Sequence, residues 1–292
     1  MIATGKIIEV RKILEAARLE GQTVGFVPTM GALHEGHRSL IRRARAASGF
    51  VVVSIFVNPT QFGANEDLSA YPRTFADDCE ACADEGADLV FHPDVDEMYP
   101  KGAKTTVRVS ALSEPMEGKF RPGHLDGVAL VCAKLFAIVG PCTAYFGSKD
   151  AQQLRVVEQM VRDLALPVEI VGCPTVRDAD GLALSSRNSY LDPEDRERSL
   201  SLSRALRRIQ DLVREGERDT SKLLAAGLAI LSSAGLDAPG GMSGESPDSI
   251  DYLEVVDPTT LEAVDRVERS VLVCGAVRVG TTRLIDNVTI DL

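Results

Sequence analysis

The sequence predicts an α/β protein, with a doubly wound parallel sheet in an N-terminal domain and a smaller α+β C-terminal domain. Strand patterns alternate with helical patterns as far as about residue 176, which is typical of a parallel sheet. The segment FVVVSIFVN at 50–58 is apolar almost throughout, as expected for a strand that is covered on both faces. Beyond residue 176 two helical patterns precede three strand patterns, which favours a separate, antiparallel sheet.

The elements of the two predicted domains, 1–175 and 176–292, follow from these patterns in order along the chain. In the first domain, strands are predicted at 23–27, 50–57, 87–93, 143–147 and 168–172, and helices at 7–19, 34–47, 73–86, 124–139 and 149–164. In the second, helices at 193–215 and 219–235 and a Gly/Pro/Ser loop at 238–249 precede strands at 250–257, 270–279 and 282–290. Ligands of doubly wound sheets bind outside the carboxyl ends of the strands, where the strand order reverses, so functional residues are expected there.

Composition limits the classes of partner. Apolar residues make up 45% of the chain and charged residues 26%, which is the balance of an ordinary globular protein. The net charge of −11 and the pI near 5.0 disfavour nucleic acid as a partner, although a local basic pocket can still bind a small anion. The N-terminal segment lacks a signal-peptide pattern, and no stretch is apolar enough to cross a membrane. A cytoplasmic protein is expected.

The six cysteines are expected to be structural thiols. Four stand singly in apolar contexts, where a buried free thiol is the ordinary interpretation: Cys132, Cys142, Cys173 and Cys274. Cys79 and Cys82 form a CxxC motif in an acidic helical segment, with no second CxxC and no neighbouring histidine. This context argues against a zinc site, and any role of the pair stays open.

Two of the four histidines, His34 and His37, stand where the strand at 23–27 gives way to a helix. Residues three apart lie on one helix face, beside backbone N–H groups expected to be unsatisfied and the positive end of the helix dipole. Gly31 and Gly36 let a ligand approach the backbone closely. The pattern favours a phosphate site. The alternatives are solvated or core histidines and a metal site, which is weaker because a third ligand is not apparent.

A second cluster follows the strand at 143–147. This strand ends in Gly147, Lys149 and Asp150 open the next helix, and Gln153 falls one turn beyond Asp150. A lysine at the carboxyl end of a strand is well placed to meet a phosphate group. A solvated helix start is the alternative interpretation.

A third cluster lies in GLALSSRNSYL at 181–191, where two hydroxyls, a guanidinium and an amide share one turn: Ser185, Ser186, Arg187 and Asn188. Such a loop can fold over a polyphosphate, and its place at the domain junction suits a mobile closing element. A plain interdomain linker is the alternative.

Two further groups flank the irregular stretches of the first domain. Asn58 and Gln61 follow the strand at 50–57, where substrate polar groups are expected to bind. Three acidic residues beyond them are expected to be solvated or ion-paired: Asp67, Asp77 and Asp78. A basic rim is expected from Glu117, Lys119, Arg121 and His124, although Arg121 also fits a surface arginine beside a turn proline.

Together and in this order, these segments resemble the pantothenate synthetase family. The resemblance spans essentially the whole chain and rests on PTMGALHEGH, FVNPTQFG, YPRT, RPGH, AYFGSKDAQQL and SSRN. His34-Glu35-Gly36-His37 resembles the HxGH element of the HIGH-type nucleotidyltransferases, and SSRN resembles the counterpart of their KMSKS loop. The resemblance implies a Rossmann-like N-terminal domain and a homodimer. The position of SSRN at the domain junction predicts that the C-terminal domain acts as a lid.

The resemblance also implies a reaction. The family joins pantoate to β-alanine at the expense of ATP through a pantoyl-adenylate, with Mg²⁺ carried on the triphosphate and not held by protein side chains alone. His37, a proton donor, would act with His34, Lys149 and Arg187. ATP-binding residues are implied at Met30, Gly31, His34, Gly36, His37, Gly147, Ser148, Lys149, Asp150, Val176, Leu184, Ser185, Ser186 and Arg187. Gln61 and Gln153 would bind pantoate, with Gln61 also near β-alanine and Asn58 and Arg121 close by.

Two other functions remain as alternatives. A different HxGH nucleotidyltransferase would stop after nucleotidyl transfer, but the glutamines of NPTQFG and SKDAQQL suit a hydroxy acid better than a nucleotide. A non-catalytic nucleotide-binding regulator would be expected to lack His37, Lys149 or Arg187, and all three are present. The length and the negative charge disfavour an aminoacyl-tRNA ligase.

Overall fold

The structure is a computed structural model that describes residues 1–63, 66–237 and 248–292. These residues form two compact units, Met1–Val176 and Arg177–Leu292. Most of the loop predicted at 238–249, and two residues of the stretch at 58–72, lie outside the described residues. Within those three ranges, none of the helices combines the length and the apolar character that a membrane span requires.

The first unit contains six strands and seven helices within the described residues. The strands are β1 (Ile2–Thr4), β2 (Val24–Thr29), β3 (Phe50–Ile55), β4 (Leu89–Phe91), β5 (Cys142–Gly147) and β6 (Val168–Cys173). The helices are α1 (Ile7–Leu19), α2 (Glu35–Ala47), α3 (Phe75–Asp84), α4 (Val95–Met98), α5 (Glu117–Phe120), α6 (His124–Val139) and α7 (Ala151–Asp163). Short 3-10 turns at Pro59–Gln61 and Ser148–Asp150 follow β3 and β5.

All six strands run parallel, in the order β1-β4-β3-β2-β5-β6. The predicted doubly wound sheet is therefore confirmed. From β2 the chain adds strands first on the β3 side and later on the β5 side, so the strand order reverses next to β2. Val51, Val52 and Val53 of β3 are fully buried, as expected for a strand between two layers of helices.

Apolar helix faces cover the sheet on both sides. On one side α6 contributes Phe136, which meets Phe26 of β2 and Phe146 of β5 in edge-to-face contacts. On the other side, Ile41 of α2 belongs to a second buried cluster with Val27 of β2. The opening of α6 lies unusually close to the turn after β3, because Gly127 has no side chain there. A Cβ at this position would lie 2.2 Å from the carbonyl oxygen of Thr60.

The second unit, within the described residues, packs two helices against a three-stranded antiparallel sheet. Helix α8 (Pro193–Arg214) and helix α9 (Thr220–Ser233) precede β7 (Ser249–Val256), β8 (Val271–Val279) and β9 (Thr282–Ile290), in the order β7-β8-β9. Asp192 and Asp219 cap the two helices by accepting hydrogen bonds from Asp195 N and Ser221 N, respectively. The predicted α+β class of the C-terminal half is confirmed.

All six cysteines are free thiols. In the first unit, burial raises the pKa of the Cys132 thiol to about 12, and burial with the neighbouring Cys79 and Asp78 does the same for Cys82. In the second unit Cys274 of β8 is also buried. Cys79 and Cys82 lie on α3, and Asp78 beside them raises their pKa values further, which is the opposite of what a reactive thiol requires.

Candidate functional site

Three neighbouring strands deliver most of the predicted site residues to one edge of the parallel sheet. Strand β2 leads into Met30 and the loop before α2, and β3 leads into Asn58 and Gln61. Strand β5 leads into Ser148 and Lys149. Since β3, β2 and β5 are adjacent and parallel, their carboxyl ends meet where the strand order reverses. The position of the site predicted from the alternating pattern therefore coincides with the switch point of the sheet.

The two histidines cap the helix on which they lie. His34 is the N-cap of α2, and its Nδ1 accepts a hydrogen bond of 3.1 Å from the N–H of Gly36. In return, Nδ1 of His37 accepts from the N–H of His34 at 3.3 Å. The rings are 4.1 Å apart between centroids. The expectation of unsatisfied N–H groups beside these rings was therefore wrong for His34 and Gly36, whose N–H groups bond to the imidazoles.

This capping decides the tautomer of both rings. A ring whose Nδ1 accepts a hydrogen bond carries its proton on Nε2 when it is neutral. Burial, together with the neighbouring His34 and Lys149, lowers the pKa of His37 to about 3. The ring is therefore neutral at physiological pH, and its Nε2–H is a hydrogen-bond donor. Lys149, which follows β5, is thus one of the charges that act on His37, which follows β2.

The loop between β2 and α2 is held by Asp78 of α3. Its Oδ1 accepts from the N–H of Leu33 at 2.7 Å, and its Oδ2 accepts from the N–H of Ala32 at 3.1 Å. The backbone adopts positive φ at Gly31 (85°) and at Ala32 (50°), a conformation that a residue with a side chain adopts at a cost. A Cβ on Gly31 would lie 2.9 Å from Oδ2 of Asp78.

Asp78 was expected to be solvated or ion-paired, and this expectation was wrong. The residue is only 2% exposed, and its carboxylate serves two backbone donors. Since carboxylates accept from N–H groups in short, charge-assisted bonds, Asp78 determines the shape of the loop that carries Met30. The helical pattern of α3 placed Asp78 next to Asp77 and gave no sign of which of the two faces the interior.

Asn58 is buried and organises the turn after β3. Its Oδ1 accepts from the hydroxyl groups of Tyr99 and Thr60, each at 2.9 Å. Its Nδ2 donates to the carbonyl of Gly127 at 3.2 Å and to Oε1 of Gln61 at 3.0 Å. The N–H of Thr60, which can only donate and lies 3.3 Å from Oδ1, and the carbonyl of Gly127, which can only accept, identify the two ends of the Asn58 amide. This in turn orients the Gln61 amide.

Gln61 therefore has a defined polarity. Its Oε1 is occupied by Asn58, and its Nε2 lies 3.2 Å from the sulfur of Met30, a weak acceptor. The N–H₂ group is the end of the amide that is suited to bind an acceptor such as a carboxylate or a hydroxyl oxygen. Asn58, predicted among the substrate-binding residues, supports Gln61 through these contacts.

Arg121 is embedded in a network of protein groups. Its guanidinium donates two bonds to Glu66, of 2.8 Å and 2.6 Å, and lies 3.6 Å from Glu117. Burial alone would raise the pKa of Glu66, but the bonds and charge of Arg121 outweigh it and lower the pKa. Two carboxylates thus neutralise the arginine, and the expectation of a basic rim was wrong.

His124 connects this network to Gln61. Burial and the charge of Arg121 lower the pKa of His124 to about 4, so the ring is neutral at physiological pH. Its Nδ1 donates to the carbonyl of Gln61 at 2.8 Å, which leaves Nε2 to accept from Arg121 at 2.9 Å. Arg121, predicted near the substrate, thereby holds the backbone of Gln61 through His124.

The remaining predicted residues fall into three places. Gln153 lies on α7, half-buried, one turn beyond Asp150. The neighbouring Gln152 is buried and holds the loop before α5, through its bonds of 2.8 Å to the carbonyls of Leu112 and Pro115. Val176 ends the first unit. In the second unit, the segment 184–187 overlaps the start of a 3-10 turn at Ser186–Tyr190. Ser185 caps this turn, and its Oγ accepts from the N–H of Arg187 at 3.3 Å.

Among the described residues, no group of three or more His, Cys, Asp or Glu side chains is arranged to hold a metal ion. His34 and His37 each use Nδ1 to cap α2.

The chain is similar to known proteins over nearly its whole length. The model of the family described as pantoate-beta-alanine ligase matches residues 3–289. A pantothenate synthetase of Caldicellulosiruptor saccharolyticus is 50% identical over 292 residues, which is 100% of each chain. One of Acidobacterium capsulatum is 54% identical over 279 residues, covering 94% of this chain and 90% of that protein.

Solved structures agree with the sequence relatives. A crystal structure of pantothenate synthetase from Thermus thermophilus covers 99% of both chains, with 45% identity and a TM-score of 0.89. A pantoate-beta-alanine ligase from Francisella tularensis, complexed with beta-gamma ATP and beta-alanine, is 33% identical. It covers 99% of this chain and 97% of its own, with a TM-score of 0.79. The similarity thus extends over both units.

Proposed function

The chain belongs to the pantoate-beta-alanine ligase family, and from this premise we propose that it joins pantoate to β-alanine at the expense of ATP. In the first step a pantoate carboxylate oxygen attacks the α-phosphorus of ATP, and the bond to the departing pyrophosphate breaks. In the second step the β-alanine amine attacks the acyl carbon of pantoyl-adenylate. AMP leaves, the nitrogen loses a proton, and pantothenate is formed.

The observation that carries this proposal is the pair of capped histidines beside Lys149. Attack of a carboxylate on a phosphate brings two anions together, so the site has to supply donors and positive charge. His34 and His37 use Nδ1 to cap α2, neutral His37 carries its proton on Nε2, and Lys149 adds a positive charge that acts on His37. His37 is neutral in the ligand-free protein. The negative charge of the bound phosphates would raise its pKa and favour uptake of a proton, and the protonated ring is the form that can pass a proton to departing pyrophosphate.

The other ATP contacts are proposed for the segments that follow β2, β5 and β6 and for the loop of the second unit. They comprise Met30, Gly31, Gly36, Gly147, Ser148, Asp150, Val176, Leu184, Ser185, Ser186 and Arg187. Mg²⁺ would be carried on the phosphate oxygens of ATP, where it would neutralise the charge that develops on pyrophosphate. This arrangement fits a site whose donors are imidazole N–H groups and an ammonium group.

Pantoate and β-alanine are proposed to bind beside Gln61 and Gln153. The fixed polarity of Gln61 supports this, because its N–H₂ group suits the carboxylate and hydroxyl oxygens of a hydroxy acid. Asn58 and Arg121 would act mainly by holding Gln61 in place, through its amide oxygen and its backbone carbonyl respectively. We further propose a cytoplasmic location, as the sequence pattern led us to expect, and a homodimer, as the family resemblance implies.

The decisive experiment is exchange of labelled pyrophosphate into ATP. We expect exchange with ATP and pantoate, little exchange when pantoate is omitted, and release of AMP with pantothenate when β-alanine is added. Exchange that does not depend on pantoate would indicate a different nucleotidyltransferase. Pyrophosphate release that requires β-alanine from the start would rule out the two-step adenylate mechanism.

The second unit is proposed to act as a lid. Its loop 184–187 follows the unit boundary at Val176 and carries Arg187. A guanidinium group can donate hydrogen bonds to two phosphate oxygens at once. We expect an ATP analogue to slow hydrogen exchange of the backbone amides in 180–190, and Arg187→Ala to reduce that effect. Arg187→Lys should restore it only in part, because an ammonium group lacks the planar fork. Equal exchange with and without the analogue would exclude the lid.

A further inference from the structure

An ion pair between a partly exposed arginine and a buried carboxylate lies at the start of the second unit. Arg177 is its first residue, and the guanidinium donates two parallel bonds to Asp286 of β9, of 2.6 Å to Oδ2 and 2.9 Å to Oδ1. Asp286 is only 4% exposed. The two-bond geometry fixes the orientation of the arginine as well as its distance from the strand.

The same guanidinium shapes a tight hairpin. It donates to the carbonyl of Gly181 at 3.1 Å, and the backbone of Arg177 is bridged to Ala183 in an antiparallel pairing. Gly181 has a φ of 99°, and the N–H of Asp178 is bonded to the carbonyl of Leu182 at 2.9 Å. The hairpin 177–183 is thus closed on itself. It is attached to β9 through Arg177 and to α8 through Arg196, which donates to Asp178 at 2.7 Å and to Asp180 at 2.8 Å.

The proposed nucleotide loop, 184–187, follows this hairpin directly in the chain. Residues 184–187 begin after Ala183, and the side-chain amide of Asn188 donates back to the Ala183 carbonyl at 3.1 Å. Both ends of the loop are therefore tied to the residue that pairs with Arg177. The 3-10 turn Ser186–Tyr190 also packs against β9, the strand that carries Asp286.

Stability alone does not account for such a pair. Buried ion pairs contribute little net stability, since desolvation of both charges offsets their attraction, although removing one partner leaves the other unpaired. A two-bond pair does give a defined geometry. We infer that Arg177 and Asp286 are positioning residues that set the loop 184–187 for the phosphates of ATP, without contacting the substrate themselves. This inference rests on the proposed nucleotide role of that loop.

The chain offers a matched control in Asp251 of β7. This carboxylate is also buried, at 7% exposure, and is bonded by Arg283 at 2.7 Å and by Arg278 at 3.3 Å. It lies in the same sheet as Asp286, but its arginines come from β8 and β9 and not from the hairpin. Asp251→Asn and Asp286→Asn therefore remove the same charge from similarly buried sites of one unit, and only Asp286→Asn weakens an attachment of the hairpin, the one to β9.

We expect Asp286→Asn to raise the KM for ATP by roughly 3- to 30-fold, while the KM for pantoate changes less than about twofold. Asp251→Asn should lower the melting temperature by about as much as Asp286→Asn does, but it should leave the KM values for ATP and pantoate near those of the parent. In the absence of any nucleotide, hydrogen exchange across 183–190 should be faster in Asp286→Asn and unchanged in Asp251→Asn. If Asp286→Asn does not fold, Arg177→Lys is used, which keeps the charge but loses the parallel bonds.

Equal effects of the two Asn variants on the KM for ATP, or parental exchange rates across 183–190 in Asp286→Asn, would overturn the inference. A failure of the proposed function would look different, since the parent protein itself would then show no pantoate-dependent exchange of pyrophosphate. The exchange of backbone amides without nucleotide would still report whether the ion pair holds the loop.

Discussion

His37→Ala should lower pantoate-dependent pyrophosphate exchange by about 10²- to 10³-fold, or about 2.7–4 kcal/mol of transition-state stabilisation. The variant loses the Nε2–H donor and the acceptor that caps the N–H of His34. Loss of a cap typically costs about 1 kcal/mol of stability, so the first unit should remain folded. Circular dichroism and thermal melting would establish the fold, and exchange kinetics would establish the activity.

His92→Ala is the matched control for this experiment. His92 also follows the carboxyl end of a strand of the same sheet, but that strand is β4, two positions from β2, and its ring packs on Phe75 with centroids 4.3 Å apart. We expect this variant to keep parental exchange activity. Near-parental activity in His37→Ala would remove the histidine pair from the mechanism.

Asp78→Asn should also cost activity, through the loop that carries Met30. An amide offers one acceptor oxygen where the carboxylate offers two, so the N–H of either Ala32 or Leu33 loses its partner. An unsatisfied donor costs about 1–3 kcal/mol, which should appear as a loss of unfolding free energy in urea. A displacement of the loop by about 1 Å can lower kcat/KM for ATP by about 10²-fold.

Asp77→Asn separates this effect from a general change of charge. Asp77 is the preceding residue on α3, and it is exposed. The same substitution there should leave both stability and kcat/KM within experimental scatter of the parent. If Asp77→Asn and Asp78→Asn give the same kcat/KM for ATP, the hydrogen bonds that Asp78 accepts from the loop do not matter for catalysis.

The parts of the fold that could be predicted are those determined by local pattern. Strands covered on both faces are apolar throughout, as in β3, and amphipathic helices follow them, so the parallel sheet and its functional edge were predictable. Short elements were missed: β1, α4 and α5 contain three or four residues each, too few for a periodicity. The order of strands was not predictable, because it depends on pairing between distant segments.

Within the site, residue types were easier to predict than partners. His34, His37 and Lys149 were identified because their chemistry stands out at strand ends. Asp78, Tyr99 and Glu66 were not, since their importance arises from hydrogen bonds to residues far away in sequence. Asp78 and Ala32, for example, are 46 residues apart. A buried acceptor and an exposed one have the same letter in the sequence, and only the fold distinguishes them.

The buried thiols give each unit an internal reporter of its own opening. Alkylating reagents react with the thiolate, and Cys132, with a pKa of about 12 inside the first core, becomes available only when that core opens. Cys274 reports in the same way from the second unit. Labelling rates followed peptide by peptide would therefore yield two separate opening free energies from one unmodified chain. A single melting curve would merge them into one transition.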